Sequence, residues 1–363
     1  MTGVRSFGFL PHNERDGRQR HVDSPYYHRL SWPRLPATGY GTRLHAVGRM
    51  RFPPDQWAVI LGGSSGFGLA TAQKLAAHGM HCFIVHRDRR GAMARIEPEF
   101  ERIRRHHVSL VTVNADALDA AVRADCVERL AAALGPRGRV RVLLHSIAFG
   151  NLKLLLPERT APERTAVRAL AQALGLDAQQ VADAAGRLFE EGLDALAPLA
   201  APPAYPSSSV LDEEDFARTI DSMGTSFLTW VRALLARGLL ADDARVFGLT
   251  SEGNTVAWKG YAAVAAAKVV LESVSRAMAV ELAPHGVRSN IIQAGVTDTP
   301  ALRAIPGHDH LAAQARLRNP FRRLTTPQDV ADVVYLLSTD EAAWINGAVI
   351  RVDGGEHVSG ALA

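Results

Sequence analysis

The chain is 363 residues long, 47% hydrophobic and 21% charged, with a formal net charge of +4, enough to bury a large core as one α/β domain with additions. Its basic side is almost wholly arginine, 37 against four lysines (Lys74, Lys153, Lys259, Lys268). That bias reads as codon composition rather than nucleic-acid binding, because no dense basic patch lies beyond residue 52. Cys82 and Cys126 have neither disulfide-framework nor metal-ligand spacing, no apolar run reaches transmembrane length, and no secretory h-region opens the chain. No metal, nucleic acid or membrane is expected, and a cytoplasmic, reducing setting is.

Residues 1–52 hold nine arginines with scattered histidines and prolines and little periodicity; a poorly ordered extension, or an arm onto a neighbouring subunit, is expected, with Met50 as an alternative start. Residues 53–363 should form the main domain. Strands are predicted at 57–62, 81–86, 108–113 and 140–145, alternating with helices at 67–78, 91–105 and 118–133, the rhythm of a parallel sheet with helices on both faces. Residues 151–209 then carry no strand candidate. They hold two helical stretches, Ala161–Leu174 and Asp177–Glu191, and a Pro/Ser-rich loop from Ala201 to Ser209, so they read as an insertion. The alternation resumes with a long helix Asp212–Arg237, strand Arg245–Thr250, helix Tyr261–Pro284, strand Val287–Gln293, helix 327–338 and strand Ala348–Val352. The predicted fold class is α/β: a Rossmann-type, doubly wound, seven-stranded parallel sheet with a helical insertion.

Two signatures carry chemistry. The run Gly62-Gly63-Ser64-Ser65-Gly66-Phe67-Gly68 sits at a strand-to-helix turn, where a dinucleotide pyrophosphate can approach backbone N–H groups. Tyr261 and Lys268 are seven residues apart, which returns them to one helical face about 10 Å further along the axis. Together they indicate a nicotinamide enzyme. The second strand ends His86-Arg87-Asp88; His86 stands where an acidic residue would take the ribose hydroxyls of NAD, and Arg87 suits a 2′-phosphate. NADPH is therefore expected, with Asp88 keeping NADH as the alternative. Ser64 and Ser65 are phosphate ligands or simply turn-forming residues. Phe149 is a substrate contact or a buried residue closing a strand end, and His308 and His310 read as solvated loop residues.

The order of motifs over about residues 55–358 resembles the short-chain dehydrogenase/reductase superfamily. The glycine turn, Asn114-Ala115-Asp116, the run from Gln293 to Pro300, Asn346-Gly347 and Val352-Asp353-Gly354-Gly355 carry this likeness. Within the superfamily the chain is most similar to the enoyl-thioester reductases, through His145-Ser146-Ile147-Ala148-Phe149 and Tyr261-x6-Lys268. Val264 occupies the usual position of the mainstream tyrosine, and Ser222 that of a catalytic asparagine. The compact glycine turn departs from those enzymes. So does Ser251, 17 residues before Lys268, which matches the catalytic serine of mainstream members where enoyl reductases commonly place a second tyrosine.

The resemblance implies Tyr261, Lys268 and Ser251 as catalytic groups, Lys268 also binding the nicotinamide ribose and lowering the tyrosine pKa. It implies cofactor contacts from Gly62, Ser64, Ser65, Gly66, Phe67, Gly68, His86, Arg87, Asp116 (to the adenine amino group), Ala117, Ser146, Ile147, Ala148, Gly295, Val296 and Thr299 (to the pyrophosphate or carboxamide), and a substrate contact from Phe149. The implied activity is NAD(P)H-dependent reduction of a trans-2-enoyl thioester, on acyl carrier protein or coenzyme A, in fatty-acid or polyketide assembly. A β-ketoacyl or other carbonyl reductase is the alternative within enzymes, and a non-catalytic NADPH-binding sensor or scaffold the alternative outside them. A homotetramer or homodimer is expected through the alanine-rich helices 212–237 and 261–284. The insertion is expected over or beside the substrate entrance, as a lid or carrier-docking surface, or as a peripheral hairpin at an oligomer interface.

Overall fold

Strand β1 (Gln56–Leu61) is almost wholly apolar, as a strand covered on both faces requires, and it lies between β2 (His81–His86) and β4 (Arg139–His145). The computed structural model describes residues 51–158, 164–205 and 210–360. The predicted extension over 1–52 therefore falls outside the described residues, apart from Arg51 and Phe52, as do the expected helix start at 161–163 and the end of the Pro/Ser loop. With β3 (Leu110–Asn114), β5 (Leu240–Ser251), β6 (Arg288–Ala294) and β7 (Val349–Val352), the strands form one parallel sheet in the order β3-β2-β1-β4-β5-β6-β7. The order reverses between β1 and β4, and a crevice opens at the carboxyl ends of strands at such a switch point.

Strand periodicity sorts the core into two layers. Trp57, Val59 and Leu61 face one cluster, completed by α3 (Ala120–Leu134) and by Phe227, Trp230 and Leu234 of α7 (Ser226–Ala236). Ala58 and Ile60 face the other, completed by α1 (Gly66–Ala77), α2 (Met93–Arg104) and α11 (Pro327–Leu337). The predicted seven-stranded doubly wound sheet is thus observed.

Four elements differ from the sequence reading. The long helix is broken: α6 (Glu213–Ile220), opened by an Asp212/Asp215 capping box, passes through a π-helical turn at Asp221–Thr225 into α7. Strand β5 begins at Leu240, ahead of Arg245, because the polar Asp243 is paired by Arg141, Arg245 and Arg288 at the lower rim of the sheet. The last long helix, α8 (Ala262–Glu281), starts one residue after Tyr261, which is its N-cap, and Pro284 lies in a following 3₁₀ turn. His308 and His310, expected in a loop, lie in α10 (His308–Arg318), which follows the short α9 (Pro300–Arg303). In the insertion, α4 (Thr165–Leu174) and α5 (Ala178–Glu190), the latter capped by Asp177, pack through Val167, Ala171, Val181 and Ala182.

Candidate active site

The turn after β1 is shaped for backbone approach. Gly62 has a φ of +83°, and a Cβ there would lie 2.5 Å from the Ser146 carbonyl oxygen, so the conformation and the space both require glycine. A Cβ on Gly68 would collide with the Gly62 carbonyl, which lets α1 pack against the turn. Ser65, the N-cap of α1, is extended and its hydroxyl makes no capping bond, so the first-turn N–H groups are not capped by that side chain. A cleft of about 400 Å³ opens there, lined by Gly62, Ser64, Ser65, Gly66, Phe67, His86, Arg87, Asp116, Ala117, Ser146, Ile147, Ala148, Phe149 and Thr299. Fourteen of the residues expected from the sequence thus share one cleft. Gly68 stands behind the turn, while Gly295, Val296, Tyr261, Lys268 and Ser251 line the adjoining cavity. Uncapped helical N–H groups and a β-carbon-free turn suit a pyrophosphate, so the residues present fit a dinucleotide.

Side chains at the adenine end are less free than the sequence suggests. The His86 side chain is 1% exposed and its Nδ1 lies 2.9 Å from Asp88 Oδ2, so of the two expected contacts only Arg87 stands at the surface of the cleft. Arg87 donates to Asp116 Oδ2 at 2.7 Å, and Asp116 Oδ1 accepts from the Leu118 N–H at 3.0 Å. Both Asp116 oxygens are therefore already engaged before any adenine contact. Thr299 Oγ1 accepts from the Leu302 N–H at 3.2 Å, capping α9. Phe149 is 45% exposed with the Arg87 guanidinium 4.6 Å above its ring and lines both cavities, so it is not the buried strand-end residue that was the other reading.

The second cavity, about 460 Å³, is lined by the three residues expected to be catalytic, Ser251, Tyr261 and Lys268. Ser251 ends β5, and its Oγ lies 3.3 Å from the Tyr261 Oη. Burial pushes the Tyr261 pKa up, and the Ser251 hydrogen bond works against that rise. The expected lowering by Lys268 is not observed. The Lys268 ammonium is buried and donates to the Leu249 carbonyl at 2.7 Å; burial pulls its pKa down to about 8, against the pull of Glu272. Burial, then the Lys268 charge, holds His145 near a pKa of about 3, so it is neutral, with Nε2 2.7 Å from the Ser226 hydroxyl. On the π-turn, Ser222 donates to the Phe149 carbonyl. That hydroxyl ties the π-turn to the segment after β4 and makes no hydrogen bond to Ser251, Tyr261 or Lys268. Among the described residues no cluster of His, Cys, Asp or Glu could hold a metal ion, and no helix is long and apolar enough to cross a membrane.

The family model described as enoyl-(acyl carrier protein) reductase matches residues 176–357, half of the chain, and the short chain dehydrogenase model matches residues 56–156. The chain belongs to the short-chain dehydrogenase/reductase superfamily. It is 34% identical over 153 residues to protein FixR of Bradyrhizobium diazoefficiens, covering 38% of this chain and 52% of that one. It is 30% identical over 125 residues to the enoyl-(acyl-carrier-protein) reductase (NADH) of Bacillus cereus, covering 34% of this chain and 49% of that one. The chain thus spans about half the length of these curated relatives. The solved enoyl-(acyl-carrier-protein) reductase of Anaplasma phagocytophilum, a complex with NAD, superposes with a TM-score of 0.60 at 19% identity over 86% of this chain and 97% of that one, a likeness of fold.

In this short-chain dehydrogenase/reductase the second cavity has a wall that the sequence did not point to. Pro203 and Tyr205 enter from the insertion, Trp258 and Lys259 precede α8, and His310 and Gln314 lie one turn apart on α10. The insertion is tied to α10: Asp194 accepts from Arg316 Nε and Nη2 at 2.6 and 2.7 Å, and the Phe189 ring lies 4.9 Å from that of His310. It therefore lies beside the second cavity. His310 is not the solvated loop residue expected of it; it is a half-buried helical residue of the cavity wall. His308, the first residue of α10, has its Nε2 3.2 Å from the carboxylate of its neighbour Asp309. Arg318, at the end of α10, clamps Glu252, next to Ser251, and also reaches Glu356 at 3.2 Å, whose other contact is the Val296 N–H.

Proposed function

We propose that this chain is an NAD(P)H-dependent reductase of α,β-unsaturated acyl thioesters, carried on acyl carrier protein or coenzyme A, and that it works as a homodimer or homotetramer in the cytoplasm. The observation that carries the reading is Tyr261. It enters the cavity from the N-cap of α8, seven residues before Lys268, while Val264, at the mainstream tyrosine position, is 4% exposed and offers the same cavity only an apolar side chain.

When bound, the nicotinamide supplies a hydride for the β-carbon of the enoyl group. Negative charge would then grow on the thioester oxygen, where the Tyr261 O–H would be the donor that stabilises it, and the enolate would be completed by a proton taken up at the α-carbon through Tyr261, which solvent reprotonates; a donor preorganised in a dry site is worth several kcal/mol. Its raised pKa keeps the phenol protonated until that charge develops. Ser251 orients the phenol through the 3.3 Å hydrogen bond. Lys268 is the cation for the ribose hydroxyls, and the apolar wall of Leu152, Met223, Val264 and Leu311 keeps water away from the reacting carbons. Arg87, half-exposed at the adenine end, favours NADPH over NADH.

The Ser251–Tyr261 pair equally supports carbonyl reduction, and this makes a β-ketoacyl reductase the second reading. The deciding experiment follows NADPH absorbance with a trans-2-enoyl thioester and with its β-ketoacyl counterpart, in the wild type and Tyr261→Phe. Turnover of the enoyl substrate, lost in the variant, is expected. Preference for the keto substrate moves the function to the second reading. NADPH binding without turnover of either leaves a sensor or scaffold.

A further inference from the structure

Ser251 is the last residue of β5, and beyond it the chain leaves the sheet through the 3₁₀ turn Glu252–Asn254. That turn packs on the Tyr261 ring: a Cβ on Gly253 would lie 2.5 Å from Tyr261 Cε1. The Ser251–Tyr261 hydrogen bond, at 3.3 Å, is already longer than the roughly 2.5–3.0 Å usual between two hydroxyls. A further slip of a few tenths of an ångström would end it, so the turn must be held. Both flanks of Ser251 are tied to one oxygen. Glu272 Oε1 accepts from the Thr250 hydroxyl and from the Asn254 side-chain amide, each at 2.6 Å. Glu272 lies four residues after Lys268 on α8, one turn along, so its carboxylate joins the Ser251 turn to the helix that bears Lys268 and is capped by Tyr261. It is not among the residues lining either cavity.

We propose that Glu272 is a positioning residue, which holds the turn on both sides of Ser251 against α8 and so sets the Ser251–Tyr261 hydrogen bond without touching cofactor or substrate. Hydrogen bonds to an ionised acceptor are about twice as strong as neutral ones, and two of them brace the serine from before and behind. The neighbouring Glu252 is anchored elsewhere, by Arg318 at the end of α10, which leaves the placement against α8 to Glu272. The inference rests on Ser251 and Tyr261 being the reacting pair, as in the function proposed above.

The test is carbon NMR of the NADP-loaded full chain with tyrosine labelled at Cζ, the Tyr261 signal being assigned by its loss in Tyr261→Phe. Ser251→Ala should move that signal, and Glu272→Leu should move it the same way and add nothing in the Ser251→Ala background. Glu272→Gln should keep the wild-type signal, because both bonds end on one oxygen that the glutamine carbonyl reproduces. Thr250→Val combined with Asn254→Ala removes the same bonds from the other side and should repeat the shift, which covers a Glu272→Leu chain that fails to fold. In turnover, kcat should fall about ten- to hundredfold in Glu272→Leu, with NADPH affinity unchanged and no further fall in the Ser251→Ala background. An unmoved Tyr261 signal in Ser251→Ala or in Glu272→Leu, or losses in kcat that multiply, would overturn the inference. The coupled NMR shifts without turnover of either thioester count against the reductase reading alone.

Discussion

The cleft beside β1 and β2 is shaped largely by backbone, whereas the cavity beyond Ser251 is shaped by side chains. At the first, Gly62 and Gly68 bring main chain against main chain. At the second, groups from β5, α8, α10 and the insertion converge, among them Tyr261, Lys268, Tyr205 and His310. The first arrangement tolerates change at most of its side chains but at none of its close backbone approaches. The second keeps its shape under small changes but depends on single polar atoms. Substitutions should therefore separate the two: a side chain added to the cleft damages cofactor binding, and an atom removed from the cavity damages turnover or specificity.

The largest separation is expected from Tyr261→Phe, which removes one oxygen and leaves the ring. Its kcat should fall about 10²–10⁴-fold with cofactor affinity nearly unchanged, the size of a lost acid or oxyanion donor. A parallel fall in NADPH affinity would place the phenol on the cofactor side instead. Gly62→Ala tests the other half: the new Cβ faces the Ser146 carbonyl at 2.5 Å from a left-handed backbone, at a cost of about 1–3 kcal/mol. Cofactor Kd should rise about tenfold or more, with a lower Tm, and an unaltered Kd would show that the turn relaxes.

Smaller effects sharpen the contrast within each half. Arg87→Ala frees Asp116 and removes the exposed cation of the cleft; KM for NADPH should rise about tenfold while that for NADH changes little, and an equal rise in both would deny Arg87 a role in phosphate recognition. Asp194→Ala releases Arg316 and so loosens the insertion from α10. The expected outcome is a rise of about two- to fivefold in acyl-substrate KM with cofactor Kd unchanged, in line with the modest energy of a part-exposed ion pair. Faster amide exchange confined to α10 would accompany it.

The same division explains what could be read from the sequence. The sheet was legible because buried parallel strands are apolar runs between helical stretches, and the turn because only glycine fits it. Tyr261 and Lys268 were legible because a spacing of seven needs no tertiary information. The rest depends on partners far along the chain. On the π-turn, Ser222 reaches the Phe149 carbonyl, 73 residues away; α10 buries only Ala312, Ala313 and Ala315, too weak a pattern to mark a helix. His310 became a wall residue through Phe189 of the insertion, and Arg318 through glutamates at 252 and 356. Asp116 and Thr299 sat where the motif placed them, but their hydrogen bonds to Arg87 and α9 could not be seen in one dimension.

The pH profile gives the finest test, because the two reacting groups are shifted in opposite directions. Burial pushes the Tyr261 phenol above its ordinary value of 10.0, so its loss of a proton lies beyond that pH, whereas Lys268 is drawn down from 10.5 to about 8. An alkaline limb in kcat/KM near pH 8 therefore belongs to the lysine, and Lys268→Arg should move it upward, out of the working range. The sign for stability is fixed by the same shift. A depressed lysine pKa means that the folded chain binds fewer protons than the unfolded one between about 8 and 10.5, so this group favours folding at high pH and loses that contribution as pH falls through about 8. At neutral pH the buried ammonium is a cost, and Lys268→Met should raise Tm while abolishing turnover. A Tm that falls instead would mean that the hydrogen bond to the Leu249 carbonyl outweighs the desolvation of the charge.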